Sequence, residues 1–172
     1  MKHKIILTCF TPFGGRDINI SHQVVKDSNY PFFILDVKWK EALEELKEVL
    51  KQEPDYLILT GEALSYSQLT LEQEAHNIAS GKDNSGIFKD NVKIAESGEN
   101  TYFTTVDCSF SDIHQGHDAG KYLCNYVYYN ALMLTEGKKT KVIFVHFPQP
   151  NGKLEAIRVD FYNFLEQLDE KN

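Results

Sequence analysis

The chain has 172 residues, of which 42% are hydrophobic and 12% are aromatic, and its formal net charge at pH 7 is -7. This length and composition suit one globular domain with a substantial core, so we expect residues 1–172 to form a single domain. The acidic balance argues against nucleic acid as a partner, and no apolar run is long enough to cross a bilayer, so a membrane is not an expected partner either.

Three cysteines, Cys9, Cys108 and Cys124, occur without the CxxC spacing of many metal and redox sites. An odd number of thiols suits a reducing compartment, so we expect the protein to be cytoplasmic. The apolar run over residues 5–8 is too short for the core of a signal peptide, and it leads into a glycine-rich turn. We therefore predict that it belongs to the first strand.

Strands and helices alternate through the first third of the chain. The turn at residues 11–15 cannot continue a strand or a helix, and Ser21 is the expected N-cap of a short helix. In chain order we predict a strand over 4–10, a helix over 21–26, a strand over 32–37, an amphipathic helix over 40–52, and a buried strand over 56–60 closed by Gly61.

The middle of the chain is less regular. Residues 69–78 show no sustained period, and residues 80–100 are polar and suggest an excursion with a small hairpin. Asp118 is the expected N-cap of a helix that contains Cys124, with a start near Tyr122 as the alternative. The other predicted elements are a strand over 102–106, a polar connection over 107–118, a buried strand over 142–145 and a helix over 154–168.

This order of elements predicts a three-layer α/β/α fold around a mainly parallel, twisted central sheet. Ligands of such sheets usually bind beyond the carboxyl ends of the strands. Residues 10–15 and 61–66 follow two of the predicted strands, so they are the expected walls of a binding site.

Three titratable side chains are candidates for chemistry at that edge: Cys124 near a helix start, His146 at a strand end, and Glu72 after the Gly61 turn. A cysteine nucleophile needs an imidazole to take its proton and a carboxylate or amide to hold that imidazole. Residue type alone is also consistent with a small buried thiol, a histidine at the sheet rim and a solvated carboxylate, none of them catalytic.

His114 and His117 are spaced like a pair of metal ligands, with Cys108 and Asp112 nearby. A polar loop that carries two histidines accounts for the same pattern, and we predict no metal and no other cofactor. The two glycines at residues 14–15 lack the spacing and the lysine of a phosphate-binding loop.

Five segments carry a further pattern, in chain order: residues 8–19, 71–77, 102–105, 118–129 and 143–148. They resemble the sequence blocks of the pyroglutamyl peptidase I family of cytosolic cysteine peptidases. Residues 8–19 resemble its TGFxPFGG…xN opening, and residues 71–77 resemble its ER-x-A-x-N block. Further matches, in family order, are residues 102–105 with AYFST, 118–129 with AGxxxCNxxxY, and 143–148 with FIHVP. Each match is weak alone, but together they span most of the chain.

The resemblance implies a phosphorylase/hydrolase-like fold and a peptidase that removes an N-terminal pyroglutamyl residue from peptides. By this resemblance Cys124 attacks the amide carbonyl to form a thioester, His146 is the general base and then the acid, and Glu72 orients it. Phe10 and Phe13 would hold the planar lactam between aromatic faces.

The resemblance also implies a pocket partly defined by backbone groups near Tyr122 and Leu123, with an oxyanion hole from N–H groups beside Cys124. Glu62 is a further candidate for substrate binding, since it follows the predicted strand end and could accept the lactam N–H. An unpaired carboxylate in an apolar pocket would be costly, however.

The chain departs from the family pattern in several places. Residues 60–66 correspond to the VGxAxGR block but end in Tyr66 and contain no arginine, and Gln73 replaces the arginine beside Glu72. The ARIPDNEG loop is reduced to residues 79–86, where Lys82 could supply a charge but not a bidentate fork. The segments before the cysteine block and after the histidine block are also shortened. These losses leave open the substrate specificity and whether the chain forms a homo-oligomer, such as the tetramer common in the family.

Three functions are consistent with the sequence. The first is a compact pyroglutamyl peptidase. The second is a cysteine hydrolase of another small amide, with Glu62 and Lys82 reshaping the pocket, and the third is a non-catalytic paralogue that binds a small ligand or a protein. Retention of all three residue types of the triad counts against the third, and we favour the first.

Overall fold

The structure is a computed structural model that describes residues 2–171. Its helices are α1 (Ile20–Val25), α2 (Trp39–Leu50), α3 (Leu123–Thr135) and α4 (Leu154–Glu170). Its strands are β1 (Ile5–Phe10), β2 (Phe32–Leu35), β3 (Tyr56–Glu62), β4 (Thr70–Glu72), β5 (Glu74–His76), β6 (Ala79–Lys82), β7 (Phe88–Val92), β8 (Thr101–Phe103), β9 (His114–Gly116) and β10 (Lys141–Phe147). No helix within residues 2–171 combines the length and the apolar character needed to span a bilayer.

Six strands form the central sheet, in the order β2–β1–β3–β10–β4–β9. The pairs among β1, β2, β3 and β10 are parallel, whereas β4 pairs antiparallel with β10 and parallel with β9. β1 and β3 are buried along their whole length, as expected where helices cover both faces of a parallel sheet. The predicted α/β fold with a mainly parallel central sheet is therefore confirmed.

Helices pack on both faces of this sheet. On one face α2 and α3 bury Leu46 and Val127 against the strands. On the other face α1 and α4 bury Val24 and Phe161. Complete burial of such side chains stabilises the fold by about 1.5–3 kcal/mol each, so the two apolar layers hold the sheet rigidly between the helices.

Several local predictions are wrong in detail. Asn19, not Ser21, is the N-cap of α1, because its side chain accepts the Ser21 N–H. β3 runs through Gly61 to Glu62 and does not end at the glycine. The segment without a clear period contains β4 and β5, and the connection over 107–118 contains β9. Each of these strands has three residues, too few to show an alternating pattern.

The helix that carries the candidate nucleophile begins at Leu123, with Tyr122 as its N-cap. Asp118 is therefore not the cap. Its side chain accepts the N–H of Gly120 at 2.9 Å within the preceding turn. The alternative start near Tyr122 is the correct one, and it places Cys124 in the first turn of α3.

Two small sheets support the start of α3. The predicted hairpin is present as the antiparallel pair β6–β7, and β5 pairs antiparallel with β8. The buried Asn125 side chain accepts the N–H of His76 at 2.9 Å and donates to the carbonyls of His76 and Ile78, both at 2.8 Å. The residue after Cys124 is thus tied to the backbone beside β5, which fixes the position of the helix start.

Candidate active site

A cleft of about 320 Å³ opens at the carboxyl ends of β1, β3 and β10, the edge where parallel sheets usually bind ligands. It collects most of the residues that the sequence indicates as candidates. Its lining includes Phe10, Phe13, Asn19, Val37, Glu62, Tyr66, Asp118, Lys121, Tyr122, Leu123, Cys124 and His146. Glu72 is fully buried behind this lining.

Cys124 is the second residue of α3, and Tyr122 provides no side-chain cap for that helix. The N–H groups of the first turn and the positive end of the helix dipole therefore lie close to the sulfur. Burial, followed by the charges of Glu62 and Glu72, nevertheless raises the pKa of the Cys124 thiol to about 12. Because this environment favours the protonated thiol, attack by Cys124 needs a base.

Gly61 lets the sulfur lie against the sheet. A Cβ atom at residue 61 would lie 2.8 Å from Cys124 Sγ and 2.9 Å from Phe144 Cζ. Gly61 is also the register partner of His146 in the parallel β3–β10 pair. Paired residues of neighbouring strands project to the same face, about 4.8 Å apart, so the His146 side chain leaves the sheet on the face where the sulfur lies.

His146 and Glu72 form a buried pair. His146 Nδ1 lies 2.7 Å from Glu72 Oε1, and the two side chains are 5% and 0% exposed. The antiparallel β4–β10 register sets Glu72 opposite Phe144, two residues from His146. An ionised carboxylate only accepts hydrogen bonds, so Nδ1 carries the hydrogen and Nε2 keeps a lone pair that can take a proton.

Glu72 is held on several sides. Its Oε1 atom lies 3.0 Å from the Tyr66 hydroxyl, and its backbone carbonyl accepts the Tyr128 hydroxyl at 2.8 Å. Gly116 is its register partner in β9, and a Cβ there would lie 2.6 Å from Oε2. Within the described residues, Oε2 is buried without a hydrogen-bond partner. One oxygen therefore takes both side-chain hydrogen bonds.

Glu62 lines the cleft, and its negative charge is compensated by a positively charged neighbour. Its Oε1 atom pairs with the Arg16 guanidinium, and its Oε2 atom accepts the Ile20 N–H at 3.0 Å. The Arg16 guanidinium also lies 5.7 Å from the centre of the Phe13 ring. The costly unpaired carboxylate considered from the sequence is therefore absent, because Arg16 neutralises it.

Aromatic rings form the wall opposite the thiol. The Phe13 and Tyr122 ring centres are 6.1 Å apart, and Trp39 packs edge-on against Tyr122 at 5.4 Å. The Tyr122 hydroxyl donates to the backbone carbonyl of Lys82 at 2.8 Å. Lys82 thus supports the wall through its backbone. Phe10 is almost fully buried beneath the cleft.

Two of the residues considered as metal ligands, His117 and Cys108, have other partners. His117 Nδ1 lies 3.1 Å from Glu74 Oε1 at the surface. Cys108 is buried, and its thiol donates to the Val106 carbonyl. Among residues 2–171, no three or more His, Cys, Asp or Glu side chains are grouped so that they could hold a metal ion.

Four contacts of this site are not among the sequence predictions. Gly61 offers a usable signal, because a glycine inside a strand often marks a close approach. Tyr66 also offers one, because it ends the block in which the family carries arginine. Gly116 and Arg16 offer none, since their partners Glu72 and Glu62 are distant in sequence.

A thiol at a helix start and a buried carboxylate–imidazole pair, all at one cleft, are typical of cysteine-type hydrolases. The pyroglutamyl peptidase family model matches residues 3–155. The chain belongs to this family, and the cysteine-type hydrolase class expected from the sequence is confirmed.

Individual relatives agree with this assignment. The chain is 30% identical to a pyrrolidone-carboxylate peptidase of Fusobacterium nucleatum over 96% of this chain and 89% of the relative. It is 32% identical to one of Thermosipho africanus over 84% and 81%. Among solved structures, pyrrolidone carboxyl peptidase from Thermococcus litoralis superposes with a TM-score of 0.81 at 27% identity, covering 99% of this chain and 96% of its own.

Proposed function

We propose that this protein is a peptidase that removes an N-terminal pyroglutamyl residue, with Cys124 as nucleophile, His146 as general base and acid, and Glu72 as the group that orients His146. One observation carries the assignment of roles. The buried 2.7 Å contact between Glu72 and His146 lies beside the Gly61 position against which the Cys124 sulfur rests.

The first half of the proposed reaction forms an acyl-enzyme. Cys124 Sγ attacks the carbonyl carbon after the pyroglutamyl ring, and its proton moves to His146 Nε2. The uncapped N–H groups at the start of α3 stabilise the oxyanion, and each such donor contributes about 3–4 kcal/mol. The C–N bond then breaks, His146 protonates the leaving amine, and a thioester remains on Cys124.

The second half returns the enzyme to its resting state. His146 takes a proton from a water molecule, which attacks the thioester carbonyl. The C–S bond breaks, the sulfur recovers its proton from His146, and free pyroglutamate leaves. Glu72 keeps the hydrogen on Nδ1 throughout, so Nε2 remains the atom that exchanges protons.

The cleft suits a small neutral ring. Its volume of about 320 Å³ is at the lower end for ligand pockets, and Phe10, Phe13 and Tyr122 supply apolar contact for a planar lactam. Glu62 adds polarity to the wall, and its pairing with Arg16 compensates its charge. We expect the substrate to be a peptide with a pyroglutamyl end, processed in the cytoplasm, where three free thiols are stable.

A second candidate is hydrolysis of a different small amide. The observation that favours it is the Arg16–Glu62 pair, since Glu62 lines the cleft and, with its paired guanidinium, could recognise a more polar acyl group. Glu62 already uses both of its oxygens, so the neutral lactam remains the favoured ligand.

Hydrolysis of a pyroglutamyl coumarin amide tests the proposal. We expect turnover by the wild type, none by Cys124→Ala, and at least a hundredfold preference over the prolyl amide, which lacks the lactam carbonyl. Cys108→Ala is the matched control, because that thiol is buried away from the cleft. Equal turnover by Cys124→Ala and the wild type would contradict the proposal, and turnover of other acyl amides alone would favour the second candidate.

A further inference from the structure

Tyr66 joins three parts of the candidate site through one hydroxyl group. The hydroxyl oxygen lies 3.0 Å from Glu72 Oε1 and 2.8 Å from the Asp118 backbone oxygen. The Tyr66 ring packs edge-on against the His146 imidazole, with centres 5.4 Å apart. Asp118 belongs to the turn that leads into α3 and Cys124, so Tyr66 contacts the carboxylate, the imidazole and the segment that delivers the nucleophile.

We propose that Tyr66 is a positioning residue that orients the Glu72 carboxylate toward His146 and couples that pair to the turn before Cys124. The proposal rests on the roles proposed above for Glu72 and His146. It goes beyond them because it gives a role to Tyr66, a neutral donor at the position where the family pattern has an arginine.

The phenol has a single hydrogen to share between two acceptors. Burial and the Glu72 charge both raise the pKa of Tyr66 far above its ordinary value, so the hydroxyl keeps its hydrogen throughout the working pH range. When it donates to Glu72, Oε1 has two donors while Oε2 has no hydrogen-bond partner among the described residues. This imbalance fixes the rotation of the carboxylate, since Oε1 is the oxygen that receives the hydrogen bonds.

The hydroxyl also adjusts the electrostatics of the pair. A donor on Oε1 takes up part of the negative charge that faces Nδ1, and it thereby limits how strongly Glu72 stabilises a protonated imidazole. Removing the hydroxyl should favour the imidazolium and leave less neutral base at slightly acidic pH. Among residues 2–171, the charged or titratable groups around the pair include Cys124 and Tyr128 on α3, Glu62 with its partner Arg16, and Asp118 in the turn.

Tyr66→Phe tests the inference, because the ring stays and the hydroxyl is lost. We expect kcat to fall about tenfold with KM nearly unchanged, which matches a lost hydrogen bond to a charged group. We also expect the acid limb of the kcat/KM profile to move upward by about half a pH unit. A purely structural role would not move this limb.

Tyr162→Phe is the matched control. The Tyr162 hydroxyl donates to the Val24 carbonyl at 2.7 Å on the opposite face of the sheet. Tyr162→Phe should lower the stability by a similar amount but leave kcat and the acid limb of the kcat/KM profile unchanged. In a Glu72→Gln background, Tyr66→Phe should give no further shift of the limb, because its effect acts through the carboxylate.

The pH dependence of Cys124 alkylation by iodoacetamide gives a second readout that needs no substrate. If the wild type fails to cleave pyroglutamyl amides, the proposed function fails, while an altered alkylation profile in Tyr66→Phe still supports the coupling. An unchanged alkylation profile together with an unchanged acid limb in Tyr66→Phe would overturn the role of Tyr66, even with a fully active wild type.

Discussion

Gly61 leaves the space that the sulfur of Cys124 occupies, since a Cβ at residue 61 would lie 2.8 Å from Sγ. The same glycine is paired with His146 in the sheet. The sulfur and the imidazole therefore lie on the same face of the sheet, next to the β3–β10 pair. Any side chain at residue 61 should therefore disturb the reacting groups directly.

Gly61→Ala should strongly reduce catalysis without unfolding the chain. The added methyl group would collide with Sγ and with the fixed ring of Phe144, which forces the thiol away from its position beside His146. We expect kcat/KM to fall at least a hundredfold, since small displacements of reacting groups are that costly. Steady-state kinetics with circular dichroism provides the measurement.

Gly98→Ala is the control for this change. A Cβ at residue 98 would collide with the Tyr129 hydroxyl, which is remote from the cleft lining. It should reduce stability but leave kcat per folded molecule close to that of the wild type. If Gly61→Ala retains full activity, the close approach of glycine and sulfur has no catalytic role.

Glu72→Gln should reduce kcat about a thousandfold or more. The neutral amide loses the charge that stabilises a protonated His146, and it can present an N–H to Nδ1 and so impose the wrong tautomer. Glu74→Gln is the matched control, because Glu74 contacts His117 at 3.1 Å on the surface. Comparable losses of kcat in both variants would show that the buried Glu72–His146 pair has no specific role in catalysis.

Alkaline pH should destabilise the fold, and Cys9 should contribute. Burial raises the pKa of Cys9 to about 12 from its ordinary value of 9. A raised pKa means that the folded state retains the proton, so this stabilisation is complete below pH 9 and is lost as the pH rises toward 12. Each such group lowers the free energy of unfolding by about 1.4 kcal/mol per pH unit in that window.

Urea unfolding of the wild type and Cys9→Ala between pH 8 and about pH 11 measures this contribution. The variant should lose stability less steeply above pH 9 than the wild type. Its stability at neutral pH serves as the internal control for lost packing. Identical slopes would mean that the Cys9 thiol ionises without penalty in the folded chain.

Arg16→Gln should weaken substrate binding more than it slows the chemistry. It leaves the buried Glu62 carboxylate without its counter-charge in the cleft wall, which disfavours a neutral lactam beside it. We expect KM for a pyroglutamyl amide to rise about tenfold, equivalent to about 1.4 kcal/mol. The double change Arg16→Gln with Glu62→Gln should recover most of the loss, whereas a KM that is unchanged in the single variant would place the pair outside the binding wall.

The sequence predicts the layout of the fold better than the boundaries of its short elements. Long apolar runs such as residues 56–60 and the amphipathic stripe of residues 40–52 carry a clear period, and both form the expected elements. The three-residue strands β4 and β9 are too short to carry such a period. Their position is set by pairing with distant partners, which no local pattern records.

The candidate site likewise contains residues that the sequence predicts and residues that it does not. The thiol, imidazole and carboxylate follow from residue types and from the family resemblance. Part of the support around them does not, because Gly116 and Arg16 reach Glu72 and Glu62 only through tertiary packing. The prediction of Asp118 as the N-cap of α3 is wrong for a local reason: its carboxylate accepts the nearer N–H of Gly120 within its own turn.

Mass spectrometry of the acid-quenched enzyme during turnover of a pyroglutamyl amide tests the central claim most directly. We predict an adduct of one pyroglutamyl group on the peptide that contains Cys124, lost on treatment with hydroxylamine and missing in Cys124→Ser. Turnover at the wild-type rate in Cys124→Ser, or an adduct on Cys9 or Cys108 in its place, would contradict the assignment of Cys124 as the nucleophile.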